Sequence, residues 1–160
     1  REFDYRDRRH PAKCEIGTLE EDLGRRDFTL NSVAFDCSTG DYFDPYGGIN
    51  HLKAGRLVAV GSAKARFLEN PERVIRAIRF YCQYGFDLSF DIQAAFLDEE
   101  VLNALTEEVD DCKVKSLTKI LNNKENYHRF FSLLSHFSVL QCAIFSNVGL
   151  QATNKKEFQQ

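Results

Sequence analysis

A seven-residue segment brings together side chains that could hold an anionic, hydroxyl-bearing ligand. It occupies positions 25–31 and reads RRDFTLN. If a helix runs through it, Asp27 and Asn31 lie four residues apart on one face, with Arg26 beside them. A guanidinium binds phosphate through paired hydrogen bonds, and carboxylate and amide oxygens accept hydrogen bonds from hydroxyls. A solvated helix with an internal Arg–Asp pair is the alternative interpretation.

The elements on either side are expected to position this segment. Thr18, followed three residues later by Glu21, is a capping-box start, so the spacing predicts a helix that begins there and continues through the segment. The chain beyond it should then fold back on itself in short strands. In order, the pattern predicts a strand at 32–36, a turn at 38–41, a returning strand at 42–44, a tight turn at 45–48 and a strand at 56–60.

From Ser62 onward the pattern is helical. Asn70 and Pro71 suit the N-cap and first position of a helix, and Gly85 suits its end. Four residues of this helix should pack at the junction with the strands: Val74, Ile75, Ile78 and Phe80. Further helices are predicted at 89–98, 102–108, 113–121, 127–137 and 139–147. The predicted fold class is therefore α+β, a short mixed portion up to about Gly61 and then helices only.

Composition limits the classes of function. The chain has 160 residues, 43% of them hydrophobic, and a formal net charge of -3, so it can bury a core and has no overall nucleic-acid signature. Its five scattered cysteines contain no C-x-x-C pair, which argues against disulfides or a zinc site and for a reducing, intracellular setting. No apolar run approaches a membrane span. A local basic patch is formed by Arg1, Arg6, Arg8, Arg9, His10 and Lys13.

Three collinear stretches resemble successive motifs of one enzyme family. They are RRDFTLN with its flanks at 17–35, DPYGGINHL at 44–52 and RFLENPERVIRAIRF at 66–80. In order and spacing they are similar to motifs of the tRNA nucleotidyltransferase (CCA-adding enzyme, class II) and bacterial-type poly(A) polymerase family. The resemblance is clear from about residue 1 to 90 and thins to a faint helical likeness up to about 145.

The resemblance implies a domain organisation. Residues 1–61 would be the C-terminal part of a nucleotidyltransferase head, 62–150 the helical neck and the beginning of an RNA-binding body, and 151–160 a polar tail. Residues 1–13 would correspond to a flexible loop beside the active site. Its basic side chains would face RNA phosphates: Arg6, Arg8, Arg9 and Lys13.

The resemblance also implies roles for the 25–31 segment. Arg26 would face the phosphates of an incoming nucleotide, and Asp27 and Asn31 would face its ribose hydroxyls. Arg76, on the arginine-bearing face of the predicted helix, is counted among the nucleotide-binding residues.

In the third motif the family reads the base edge with an acidic residue and an arginine. Asn70 and Arg73 stand at those positions, so an amide replaces the expected carboxylate and base recognition could be altered. Capping of the helix by Asn70, with no reading role, is the alternative interpretation.

Other departures concern the chemistry itself. The family's metal-binding D-x-D after a glycine turn is absent, so no catalytic residue and no metal ligand is assigned to this chain; Mg²⁺ ligands are expected upstream of Arg1. His51 stands where aspartate is usual, and a glutamate expected near Cys112 and Lys113 is missing. The sequence begins without methionine and is expected to be an internal piece of a longer chain.

Two functions follow from these residues. The first is part of a template-independent enzyme that adds CCA to tRNA 3′ ends from CTP and ATP, although poly(A) addition uses the same motifs. The second is a catalytically inactive relative that serves as a structural or assembly component of a ribonucleoprotein such as an organellar ribosome, with rRNA and ribonucleoprotein proteins as partners. The compartment, mitochondrial or cytoplasmic, is left open.

Overall fold

The computed structural model describes residues 2–5, 11–14, 17–107 and 110–146. Six short strands and nine helices lie within these ranges. The strands are β1 (Glu2–Tyr5), β2 (Pro11–Cys14), β3 (Ala34–Phe35), β4 (Tyr42–Phe43), β5 (Arg56–Leu57) and β6 (Asp87–Leu88). The helices are α1 (Leu19–Gly24), α2 (Gly48–Lys53), α3 (Ala63–Glu69), α4 (Glu72–Tyr84), α5 (Phe90–Ala95), α6 (Glu99–Glu107), α7 (Asp110–Leu121), α8 (Tyr127–His136) and α9 (Ser138–Phe145). The mixed α+β class is confirmed.

The strands form three separate pairs. β1 and β2 are antiparallel, so part of the segment predicted as a flexible loop at 1–13 is instead a hairpin. β3 and β4 form the antiparallel hairpin that the sequence predicts. β5 and β6 are parallel, which corrects the prediction of helices only after Gly61. A strand of two residues is too short to show an alternating pattern in the sequence. β6 forms because the chain leaving α4 returns beside β5.

The predicted long helix through the 25–31 segment is wrong. α1 begins with the predicted capping box, in which Thr18 and Glu21 each accept from the other's backbone N–H, but it ends at Gly24. Phe28 then adopts an extended conformation and bridges to Ala59. Backbone bonds from Thr29 N–H to the Val58 carbonyl and from Val60 N–H to the Asp27 carbonyl draw the chain out of the helix. The segment finishes in a 3₁₀ turn at Thr29–Asn31.

α2 follows the tight turn predicted at 45–48, at a place where the sequence predicts no helix. The Asp44 carboxylate accepts the N–H groups of Gly48 and Ile49 at 2.7 and 3.0 Å and thereby caps the helix N-terminus. Gly47, at φ 69°, makes the turn into it. The six residues GINHLK have too little apolar periodicity to predict a helix, so its start depends on this capping contact.

α4 lies at the centre of the hydrophobic core. Its Val74, Ile75 and Ile78 are fully buried, and Phe80 packs against the core with its ring 5.5 Å from that of Phe28, which confirms the predicted junction residues. The same core extends through the later helices: α5–α9 contribute buried residues such as Ile92, Val101, Leu117, Phe130 and Ile144. The division at 61, 150 and 160 stays a prediction. None of the helices described is long and apolar enough to cross a membrane.

Candidate functional site

The carboxylate of Asp27 is the centre of a hydrogen-bonded cluster. Its Oδ2 accepts from Nε and Nη2 of Arg76 at 2.7 and 2.6 Å, so the turn after α1 is joined to α4. Its Oδ1 accepts from the Asn31 side-chain amide and from the Phe28 backbone N–H, both at 2.9 Å. The side chain is only 7% exposed. The structure therefore brings together three of the predicted site residues, with Asp27 largely enclosed by protein donors.

Asn31 keeps one group available in this cluster. Because its Nδ2 donates to Asp27, its amide oxygen is directed away from that carboxylate. An oxygen held in this way can accept a hydrogen bond from a hydroxyl. The sequence assigned that role to Asp27 and Asn31 equally, whereas the structure makes Asn31 the more accessible of the two.

Arg26 does not lie beside Asp27, contrary to the arrangement that a continuous helix predicts. It turns toward Asp22 and pairs with it at 2.7 Å, and Arg25 pairs with the same carboxylate at 2.6 Å. The hydrogen bond from Arg26, and next that from Arg25, hold the pKa of the Asp22 carboxyl below its usual value. Successive side chains of a helical segment do not face each other, and Arg26 instead pairs with Asp22 four residues back. About half of each arginine side chain is exposed.

Two arginines, one from α3 and one from α4, donate hydrogen bonds to the backbone of the turn that follows α1. Arg66 donates from Nη1 to the Gly24 carbonyl at 3.3 Å, and Arg73 donates from Nη2 to the Arg25 carbonyl at 2.9 Å. Arg73 also donates from Nη1 to Glu69 and to the Arg66 carbonyl. Its guanidinium is thus engaged by protein acceptors, and base reading by Arg73 stays a prediction.

Asn70 caps α4 as its sequence position suggests. Its Oδ1 accepts the Glu72 backbone N–H at 3.0 Å, and its backbone is extended. The side-chain Nδ2 is therefore directed away from that N–H, so the group that Asn70 can offer to a ligand is a donor. A carboxylate at this position would offer an acceptor instead.

α2 is locked against the 25–31 segment. His51 Nδ1 lies 3.0 Å from the Thr29 hydroxyl oxygen, so the histidine that replaces the usual aspartate has a partner of its own. Gly48 lies so close to Thr29 that a Cβ there would overlap the Thr29 carbonyl oxygen. The second resembling stretch therefore fixes the first through close backbone contact.

The region with the missing glutamate also has replacement contacts. Lys113 is fully buried and donates from Nζ to the Thr106 carbonyl at 3.1 Å. Ser116 donates to Glu72 at 2.7 Å and so joins α7 to the first turn of α4. The contact of Ser116 supports α4, the helix that supplies Arg73 and Arg76.

Most of the residues expected to bind RNA fall outside the described ranges. Arg6, Arg8 and Arg9 lie outside the described residues, and Lys13 lies in β2 opposite Phe3. Within the part of the chain that is described, no group of three or more His, Cys, Asp or Glu side chains could hold a metal ion. The described residues therefore do not provide a magnesium site.

Comparison with known proteins decides the family. The model of the poly(A) polymerase head domain matches residues 1–58. A CCA-adding enzyme of Bacillus cytotoxicus is 32% identical over 157 residues, which is 91% of this chain and 39% of that protein. The chain belongs to the tRNA nucleotidyltransferase family.

Solved structures of this family share the fold. The chain is similar to the Bacillus stearothermophilus CCA-adding enzyme in complex with CTP, with a TM-score of 0.64, 32% identity and coverage of 71% of this chain and 28% of that one. It is also similar to the Thermotoga maritima CCA-adding enzyme complexed with tRNA, with a TM-score of 0.64, 26% identity and coverage of 76% and 30%. The chain therefore spans less than half the length of these relatives.

Two residues of the site were missed by sequence reasoning. Asp22 lies three and four residues before the paired arginines, which is the spacing of helical ion pairs, so this signal was present. Arg66 contacts the Gly24 carbonyl from another helix, and no local spacing could have predicted it.

Proposed function

We propose that this chain is the nucleotide-holding part of a CCA-adding enzyme, which adds CTP- and ATP-derived nucleotides to tRNA 3′ ends. The observation that carries this proposal is the cluster of Asp27, Asn31 and Arg76 beside two half-exposed arginines. The relatives described above are named for CCA addition, CTP binding and tRNA binding. These names favour CCA addition over poly(A) addition.

The contacts indicate a different role for each residue of the cluster. Arg26, with Arg25, receives the phosphates because guanidinium groups bind phosphate oxygens through paired, charge-assisted hydrogen bonds. Asn31 accepts from a ribose hydroxyl through its free amide oxygen. Asp27 holds Asn31 in that orientation and ties it to Arg76 on α4.

Base selection in this proposal depends on Asn70 and Arg73. Arg73 is held by Glu69 and two carbonyls, and Asn70 presents a donor because its oxygen caps α4. A donor pairs with base carbonyls and ring nitrogens, but not with the amino groups of cytosine and adenine. Recognition of C and A at this position is therefore weaker than with a carboxylate.

Magnesium is part of the proposal as the ion that activates the primer hydroxyl and stabilises pyrophosphate. Its ligands are placed outside the described residues. The alternative, an inactive ribonucleoprotein component bound to rRNA, receives no support from the relatives reported above.

Nucleotide addition tests the proposal directly. The full-length protein is incubated with a tRNA that lacks its 3′ CCA, with CTP, ATP and Mg²⁺, and the products are separated at single-nucleotide resolution. We expect addition of C, C and A by the wild type and strongly reduced addition by Arg26→Ala. Failure of the correctly folded wild type to add any nucleotide would contradict the proposal.

A further inference from the structure

Asp22 binds both arginines of the segment at once. Its Oδ1 accepts from Nε and Nη2 of Arg25 at 3.0 and 2.6 Å, and its Oδ2 accepts from Nε and Nη2 of Arg26 at 3.3 and 2.7 Å. We propose that Asp22 is a positioning residue that holds Arg25 and Arg26 as a preformed pair for the phosphates of the incoming nucleotide. This inference rests on the function proposed above.

The geometry leaves Arg26 able to meet a ligand. Both use the same Nε–Nη2 edge toward Asp22, so the opposite edge of the Arg26 guanidinium is directed away from the carboxylate. Arg25 and Arg26 remain 51% and 49% exposed. A triphosphate can therefore approach without first displacing Asp22.

Electrostatics explains why a carboxylate is needed between them. Two neighbouring guanidiniums repel each other, and each long side chain has many rotamers to lose when it binds an anion. One carboxylate offsets the repulsion and fixes both side chains before the ligand arrives, which lowers the ordering cost of binding. The trio retains one net positive charge, so attraction for phosphate persists.

The backbone beneath this pair is fixed independently of Asp22. Arg66 and Arg73 donate to the carbonyls of Gly24 and Arg25, and both arise from other helices. Loss of Asp22 should therefore release the Arg26 side chain while the turn itself stays in place. Half-exposed ion pairs contribute little to folding stability, so binding and stability can be separated.

The experiment compares Asp22→Asn with Glu20→Gln in the full-length protein. Glu20 is an exposed residue of the same helix, so both variants remove one negative charge from α1. Binding of CTP and of cytidine is measured by titration calorimetry, with thermal melting as the folding control. We expect Asp22→Asn to weaken CTP binding about tenfold, as for one lost charge-assisted contact, and to leave cytidine binding unchanged. Glu20→Gln should alter neither.

Steady-state addition assays and a second variant give an independent check. The loss should appear in KM for CTP rather than in kcat, and Asp22→Glu, which retains the carboxylate, should recover part of the affinity even if Asp22→Asn folds poorly. Equal affinities in Asp22→Asn and Glu20→Gln, or tighter CTP binding in Asp22→Asn, would overturn the role of Asp22 alone. A folded wild type that binds no CTP would instead overturn the proposed function, and the inference with it.

Discussion

At the scale of single residues, charge pairing determines which side chains are free to meet a ligand. Asp27 and Arg26 are adjacent in sequence, yet Asp27 is enclosed by Arg76, Asn31 and a backbone N–H while Arg26 is half exposed. The two residues should therefore respond differently to substitution. The sequence analysis expects both residues to face the nucleotide. In the structure, Asp27 supports its neighbours and Arg26 is the residue placed to bind a ligand.

Asp27→Asn and Arg26→Ala test that division. Asp27→Asn leaves Arg76 without its carboxylate, so we expect the free energy of unfolding to fall by about 1.5–3 kcal/mol, together with a loss of nucleotide addition. Arg26→Ala should change stability by less than about 0.5 kcal/mol and weaken CTP binding roughly ten- to a hundredfold. Urea denaturation and CTP titration measure the two effects. Equal stability losses in both variants would show that Arg26 is structural.

Asn70→Asp tests base selection. Aspartate caps a helix about as well as asparagine, so one oxygen can still accept the Glu72 N–H while the other becomes an outward acceptor. We expect stronger preference for CTP and ATP over UTP and GTP, measured as the ratio of kcat/KM values. Unchanged ratios in an active variant would mean that Asn70 only caps α4.

At the scale of secondary-structure elements, local signals predicted most of the fold. The capping box at Thr18, the hairpin turn before Tyr42 and the end of α4 at Gly85 all depend on neighbours in sequence, and each is confirmed. The misses have other causes. β6 and the end of α1 depend on contacts with distant residues, β5 for β6 and Val58–Val60 for α1, and local spacing cannot report these. The start of α2 depends instead on the nearby Asp44, but a helix of six residues is too short to show a periodic pattern.

The same distinction applies within the candidate site. Residue types and spacing identified Asp27 and Asn31, and the family resemblance added Arg76, but neither showed that Asp27 binds Arg76 across 49 positions of sequence. The predicted neighbour of Asp27 was Arg26, because a continuous helix was assumed. Side-chain partners, and the membership of Arg66, therefore require the fold, whereas residue types and motifs suffice for Asp27, Asn31 and Arg76.

Gly48→Ala tests the packing of α2 on the 25–31 segment. A Cβ there would overlap the Thr29 carbonyl oxygen and lie 2.9 Å from Val33 Cγ2, and backbone cannot yield as a flexible side chain can. We expect the free energy of unfolding to fall by about 3 kcal/mol or more. Gly40→Ala is the matched control, since its φ of 79° is strained but no atom lies within 4 Å of the added Cβ. Its cost should be about 1 kcal/mol; similar losses in both variants would argue against the close contact.

At the scale of the whole molecule, one core joins the candidate site to the later helices. Phe28 and Leu57 belong to the same buried cluster as residues of α4–α9. Stability of the core and order of the site are therefore linked, and a change deep in α4 should affect both.

The buried thiol of Cys82 makes the free energy of unfolding depend on pH. Burial raises the pKa of its thiol to about 12. In the unfolded state the thiol ionises near its ordinary pKa, so the unfolded state loses its proton first. The free energy of unfolding therefore falls as pH rises from about 9 toward 12, by up to about 1.4 kcal/mol per pH unit. Urea denaturation of wild type and Cys82→Ala across this range measures it. The wild type should show the steeper decline; parallel curves would contradict the assignment.

The parallel pairing of β5 with β6 has a consequence for protein synthesis. Leu57 has no strand partner until Leu88 has left the ribosome, and Asp27 has no arginine partner until Arg76 has followed it. At about 5–20 residues per second, the nascent chain carries an unpaired carboxylate and an uncovered Phe28 for about 2.5–10 s. A slow codon within α3 or α4 would lengthen that interval, and a chaperone that shields the emerging segment would protect a candidate site that its own chain cannot yet complete.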